Sequence, residues 1–239
     1  MIRVKSLFAA AVLAVTGLSL QAQTLEEAIA KNLPNLDPRK PSNELMATIA
    51  QFDLAAGQFP DQWAAHYYAG YSKVILTYTL PEDQMQQKDM VLDEADAYFA
   101  KVKEMGVENS ETYILGAMIA NARLAVDGQN RWQKYGAIFR ENLEKAKSLN
   151  ADNPRIYHLQ GTSLFWTPAM FGGGKQAALP FFQQAKPLFE KESKASLLVP
   201  YWGQDQNEWY ISECNKPDEE PVKEEPKGKK EKEKKNKEK

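Results

Sequence analysis

Cysteine, histidine and long apolar runs are scarce in this chain of 239 residues. The single thiol, Cys214, cannot form an internal disulfide, so the fold must be stable through its core alone. The two histidines, His66 and His158, have no partner at a spacing typical of metal ligands, and the sequence predicts no metal site and no cofactor. It also lacks a G-x-S-x-G motif, and we expect no enzyme.

Aromatic residues, by contrast, are abundant enough for a real core. The chain has ten Phe, ten Tyr and five Trp, and 43% of its residues are hydrophobic. This composition excludes disorder of the whole chain and is typical of a globular protein.

The two ends of the chain differ from the middle in composition. Arg3 and Lys5 precede a 14-residue apolar run that is too short to span a bilayer, and Ala22 suits a cleavage site. We therefore expect a signal peptide at 1–22, a folded domain at 23–215 and no transmembrane segment after cleavage. Residues 216–239 hold ten Lys and eight acidic residues without an aromatic, which predicts a disordered tail.

The charge balance limits the partners of the folded body. Between the two ends, 18 of the 30 basic and 24 of the 32 acidic residues remain, which argues against nucleic-acid binding by the body. The last 13 residues of the tail hold eight Lys against three Glu. They could bind anionic lipid or nucleic acid, and the alternative is a solvated, solubilising tail.

The middle of the chain contains repeated helical stripes. Tyr113 recurs 44 residues later as Tyr157, and Ala117 recurs at the same offset as Gly161. The partner helices repeat in the same way, with three related sets: Ala95, Phe99, Val102; Phe139, Leu143, Ala146; and Ala178, Phe182, Ala185. Small positions on such stripes let a neighbouring helix approach closely. The pattern predicts an all-α fold of successive helical pairs, and 24–57 is a candidate for a further, divergent pair.

At these residues the chain resembles a tetratricopeptide repeat protein. Tyr157, Gly161 and Leu164 match the first helix of that repeat, and Ala178, Phe182 and Ala185 match the second. The resemblance implies a right-handed α-α superhelix, a stack of α-hairpins with a concave face that binds a protein partner. The spacing between first and second helices is longer than the usual repeat allows, so each pair has longer helices or an enlarged turn.

A narrower stretch, 153–189, is similar to exported helical-repeat subunits associated with TRAP-type transporters. It also resembles exported repeat proteins of Gram-negative bacteria. These resemblances imply a periplasmic or secreted protein that holds a small molecule or a binding protein.

A glycine turn precedes the second helix of the last pair. Gly172, Gly173, Gly174 and Lys175 lack the spacing of a phosphate-binding loop, and Gln176 stands where Ser or Thr would hold magnesium. Backbone N–H groups at the start of the helix could still hold a carboxylate or phosphate. The alternative is a tight reversal after Pro168.

Aromatic residues of the first helices are the candidates for binding. Tyr and Trp combine a large contact area with a polar tip, which suits recognition, although aromatics at helical spacing more often pack between repeats. The candidate ligand- or partner-binding residues are Tyr67, Tyr71, Tyr113, Asn121, Tyr157, Phe165, Trp166, Phe171, Gly173 and Lys175.

Two hypotheses for function follow. The first is a non-enzymatic interaction module that binds a protein through the concave face. The alternative is a ligand-binding transport helper with a small-molecule pocket near Trp166, Phe171 and the glycine turn. After the last pair, Trp202 and Trp209 are seven residues apart, which predicts one shared helix face and a C-terminal capping helix.

Overall fold

A computed structural model describes residues 23–217. The predicted signal peptide and all but the first two residues of the predicted tail lie outside these residues. The helices are α1 (Leu25–Asn32), α2 (Ser42–Gln58), α3 (Trp63–Thr79), α4 (Met85–Glu104), α5 (Ser110–Val126), α6 (Gly128–Leu149), α7 (Pro154–Trp166), α8 (Lys175–Lys191) and α9 (Gln204–Cys214). Residues 23–217 contain no strand, so the predicted all-α class is confirmed. None of their helices is long and apolar enough to cross a membrane.

Side-chain caps fix where several of these helices begin. Asn109 accepts a hydrogen bond from the backbone of Thr112 at the start of α5, and Asn153 does the same for Arg155 at the start of α7. Pro154 occupies the first turn of α7, where a missing N–H costs nothing. Asn109, Asn153 and Pro154 therefore mark the starts of α5 and α7 in the sequence.

The helices form a stack of αα-hairpins, as the repeated stripes predict. α3 pairs with α4, α5 with α6 and α7 with α8, and α1 and α2 form a shorter pair before them. α3, α5 and α7 also contact one another in sequence, so they form one layer with α4, α6 and α8 outside it. The extra length of the first two hairpins comes mainly from α4 and α6, of 20 and 22 residues. We call the end where α3, α5 and α7 begin the lower end and the other the upper end.

The small residues of the stripes lie where helices cross. A Cβ atom on Gly161 would come within 2.7 Å of the Phe182 ring, a distance that real side chains do not adopt. Phe182 is itself fully buried, as are Ala178 and Ala185 on either side of it. α7 and α8 therefore pack closely because position 161 has no side chain.

The connection between α8 and α9 crosses the inner layer at its lower end. Trp202 stacks on Tyr71 with ring centroids 4.8 Å apart, and its Nε1 donates to the Tyr67 hydroxyl at 2.8 Å. Further back, the Leu197 backbone N–H donates to the Glu26 carboxylate of α1 at 2.7 Å. This segment, 192–203, is called the strap below, and it covers the lower part of the inner layer.

The predicted capping helix is present, but the prediction that Trp202 and Trp209 share one helix face is wrong. α9 packs on α8 and begins only at Gln204, because Gly203 adopts φ +105°, a conformation outside the helix. Trp202 belongs to the strap and lies against α3, whereas Trp209 lies on α9 with 49% of its surface exposed.

The close approach at Gly161 generates a stability test. Gly161→Ala forces the Phe182 ring or the helices apart, and overpacking of this kind lowers the free energy of unfolding by about 1–3 kcal/mol. Gly136→Ala is the matched control, since Gly136 lies inside α6 with no atom within 3.5 Å of the new methyl group. Because Ala has a higher helix propensity than Gly, this control variant is expected to be more stable than the wild type by up to about 1 kcal/mol. Urea unfolding curves that shift in the same direction for both variants would contradict the packing.

Candidate functional site

Three candidate tyrosines in the lower part of the inner layer are buried in the core. Tyr67 is fully buried and donates to Glu111 Oε2 at 2.9 Å, while Tyr71 lies under Trp202 of the strap. Tyr157 is 8% exposed and donates to the Ala151 carbonyl at 3.1 Å. Tyr67 and Tyr71 contact Trp202 of the strap, and because all three tyrosines are buried, a partner at the surface does not reach them.

Tyr113 lies apart from the other candidates. Its hydroxyl donates to Glu108 Oε1 at 3.1 Å, and Lys145 Nζ lies 5.6 Å from the centre of its ring. Both contacts are at exposed positions near the lower end. The structure does not bring Tyr113 together with the aromatic residues of α7.

Five side chains meet at the upper end of the inner layer and define what we call the upper groove. They are Tyr78 of α3, Asn121 of α5, Phe165 and Trp166 of α7, and Tyr210 of α9. Trp166 Nε1 donates to the Tyr210 hydroxyl at 3.2 Å. The Phe165 ring lies 5.2 Å from the Trp166 ring and 5.0 Å from the Tyr210 ring, both edge to face.

Tyr78 is 47% exposed at this surface. Burial nevertheless raises the pKa of its hydroxyl to about 12; a hydrogen bond with Asn121 opposes that rise, and the nearby Tyr210 adds to it.

The glycine turn follows directly after Trp166 at the upper end of α7, and we call it the rim of the upper groove. Met170 and Phe171 precede the glycines and are 83% and 72% exposed. Gly172, Gly173 and Gly174 each donate their backbone N–H to a carbonyl of the turn or of α7. Gly173 also has no room for a side chain, since a Cβ atom would lie 2.2 Å from the Thr167 carbonyl oxygen.

These contacts make the turn a tight reversal, because the N–H groups of all three glycines have carbonyl acceptors. The predicted anion site used the N–H groups at the start of α8 instead, and it stays a prediction. Lys175 begins α8 beside the rim and is near Cys214 of α9, where its charge partly offsets the rise in the thiol pKa caused by burial.

The acidic cluster on α4 is structural. Arg123 of α5 is 7% exposed and pairs with Asp89, Asp93 and Asp96 of that helix, with shortest contacts between 2.5 and 3.2 Å. A cavity of about 310 Å³ lies beside this network, between α4, α5 and α6. A larger open cavity of about 690 Å³ lies at the lower end, where charged and polar side chains make up much of its lining.

Neither histidine is available at a surface. His66 is 7% exposed and its Nε2 lies 2.8 Å from the Pro60 carbonyl oxygen. His158 is 5% exposed, with Nδ1 3.2 Å from Asn207 Oδ1. Among residues 23–217, no group of three or more His, Cys, Asp or Glu side chains could hold a metal ion.

The candidates from the sequence include three of the five groove residues; Tyr78 was predicted only as one of the first-helix aromatics, and Tyr210 was missed. Tyr78 continues the tyrosine stripe of α3, and only its position in the last turn separates it from the buried Tyr67 and Tyr71. Tyr210 follows Trp209 in the capping helix. Its Oη approaches α7 while its ring stacks on Phe182 at 4.8 Å, so it serves both the cap and the groove.

The fold and the upper groove define a helical-hairpin protein with an aromatic groove at one end of its inner layer. No family model matches the chain, and no curated protein sequence matches it significantly. A solved structure does match: the HusA haemophore from Porphyromonas gingivalis is 33% identical, with a TM-score of 0.68 over 84% of this chain and 98% of that one. The chain therefore belongs to the family of the HusA haemophore. The resemblances to tetratricopeptide and TRAP-associated proteins stay predictions.

The contact between His158 and α9 generates a pH-dependence test. Burial is the main reason that the pKa of His158 falls to about 4; Arg155 lowers it further, and the hydrogen bond with Asn207 opposes the change. In the unfolded chain His158 binds a proton near pH 6.5, whereas in the folded protein it binds one only near pH 4. The free energy of unfolding therefore falls as the pH drops through this window, by on the order of 3 kcal/mol from this group.

His158→Gln removes that proton uptake and retains an amide that can face Asn207. We expect the unfolding free energy of the variant to fall less steeply than that of the wild type between pH 6.5 and 4, as measured by urea titration at each pH. Parallel curves for the two proteins would contradict the burial of a neutral His158.

Proposed function

We propose that this protein is an exported, non-enzymatic carrier that binds haem in the upper groove. The observation that carries the proposal is the aromatic groove formed by Tyr78, Phe165, Trp166 and Tyr210. Membership of the HusA haemophore family supports haem as the cargo. The proposal develops the small-molecule alternative of the sequence analysis.

The chemistry of the groove suits a tetrapyrrole. A porphyrin is a large planar ring with apolar faces, and ligand sites for such molecules combine aromatic walls with a few polar groups. Trp166 is 68% exposed, and Met170 and Phe171 on the rim are more exposed still. Apolar surface of this extent on one edge of a protein is typical of a binding site.

A protein partner on the concave face has less support. The strap covers the lower part of that face and buries Tyr67 and Tyr71, two of the ten candidate residues from the sequence. The remaining upper groove is lined by a few aromatic side chains, which fits a small planar ligand better than a protein surface of standard size.

The predicted signal peptide and the similarity to a haemophore both support export of the protein. We infer that it is exported and binds its cargo in the periplasm or outside the cell. The net negative charge of the folded body still argues against nucleic acid as a partner.

Binding of iron-free protoporphyrin IX tests the role of the groove. Trp166→Ala removes an exposed ring at the centre of the site and raises the Kd by roughly tenfold, the effect of losing one well-placed aromatic contact. The change in porphyrin absorbance on titration gives the Kd without relying on protein fluorescence.

Trp132→Ala is the matched control. Trp132 is 60% exposed and lies on α6 in the outer layer, so its loss leaves the Kd unchanged. Equal Kd values for the wild type and Trp166→Ala would contradict binding in the upper groove.

A further inference from the structure

We propose that the upper end of the protein docks on an anionic lipid bilayer, with exposed apolar side chains entering the interface and the basic tail binding the headgroups. The inference goes beyond the proposed function, because it concerns a second surface and does not depend on which cargo the groove holds.

The first observation is where the exposed apolar surface lies. Among residues 23–217, twelve large hydrophobic side chains are exposed, and eight of them lie near the upper ends of α3, α4, α6, α7 and α9 or on the rim. Four of the eight belong to the upper groove and its rim. The other four, which we call the apolar edge, are Met85 and Met90 of α4, Trp132 of α6 and Trp209 of α9. Exposed apolar surface gathered at one end of a fold marks contact with a protein or a membrane.

The hairpin geometry brings the apolar edge together. α4 and α6 begin at the upper end because short connections join them to the last turns of α3 and α5. Two nitrogens of the Arg131 guanidinium each lie 2.7 Å from the Asp89 carboxylate, which holds the starts of α4 and α6 side by side. Met90 and Trp132 follow these two residues in the chain and are each 60% exposed. Trp209 extends the apolar edge to α9, beside the upper groove.

The second observation is the charge of the chain that leaves the fold at this end. α9 ends at Cys214, which is near Lys175 at the start of α8, so the tail leaves the fold beside the rim. The last 13 residues of the tail hold eight Lys against three Glu. Residues 218–227 span up to about 35 Å when extended, which is long enough to place these lysines beside the apolar edge.

The two features together favour lipid over a protein partner. Trp is enriched at membrane–water interfaces, because its ring is apolar and its N–H is polar. Binding at a membrane surface increases with the apolar area buried and with the attraction of basic residues to anionic headgroups. Glu82 and Asp83, exposed between α3 and α4, oppose an anionic surface, so the tail must supply the attraction. In this orientation the upper groove opens toward the bilayer.

Co-sedimentation of residues 23–239 with lipid vesicles tests the docking. We expect the protein to sediment with vesicles of phosphatidylglycerol and phosphatidylcholine in equal parts, and to stay in the supernatant with phosphatidylcholine alone. Trp132→Ala lowers the vesicle partition coefficient roughly fivefold, because an exposed ring no longer enters the interface, and leaves the Kd for protoporphyrin IX unchanged. Replacement of each Lys of 227–239 by Gln abolishes sedimentation at physiological ionic strength.

Leu54→Ala is the matched control for the apolar edge. Leu54 is 56% exposed and lies near the end of α2, at the lower end of the protein, so this variant sediments as the wild type does. An equal loss of binding in Leu54→Ala and Trp132→Ala would contradict docking by the upper end.

The remaining outcomes separate the parts of the inference. Sedimentation of the wild type with neither kind of vesicle overturns it and leaves the apolar edge to a protein partner. If the Lys-to-Gln variant loses binding while Trp132→Ala retains it, the tail alone binds lipid and docking by the apolar edge is wrong. Titration with protoporphyrin IX in solution reports separately on the proposed function, and its failure there leaves the lipid contact standing.

Discussion

The arrangement of the inner layer depends on one buried cation, Arg155. Its side chain is 1% exposed, and its guanidinium donates to Glu111 Oε1 at 2.9 Å, to the carbonyls of Pro200 and Trp202 at 2.6 and 2.8 Å, and to Glu192. A buried charge is tolerated only when paired and fully hydrogen-bonded. The guanidinium therefore fixes the strap, through its carbonyls and Glu192, against α5 and α7.

The strap determines which part of the inner layer is covered. With Trp202 held over Tyr71, the lower part of the concave face becomes core, and the hydroxyl of Tyr67 is used twice, as donor to Glu111 and acceptor from Trp202. The upper groove, where α9 brings Tyr210 to Trp166, lies outside the part that the strap covers. A structural network at one end of the hairpins thus leaves an aromatic groove at the other.

Local patterns in the sequence were sufficient for the hairpins but not for the site. Small residues such as Gly161 mark helix crossings because the two helices of a hairpin are neighbours in the chain, and the contact between Gly161 and Phe182 is therefore local. The difference between buried Tyr71 and accessible Tyr78 depends on Trp202, more than 120 residues away in the chain, and no periodicity within α3 contains that contact. Likewise, the positive φ of Gly203 separates Trp202 from α9, so Trp202 and Trp209 do not lie on one helix as the sequence predicted.

The five tryptophans provide the most direct test that cargo binds above the strap and not beneath it. In a ¹⁵N-labelled protein, paramagnetic ferric haem should broaden the indole N–H signal of Trp166, which belongs to the upper groove. The signals of Trp202 in the strap and Trp63 at the start of α3 should stay sharp. Broadening of Trp202 and Trp63 with an unaffected Trp166 would contradict the account.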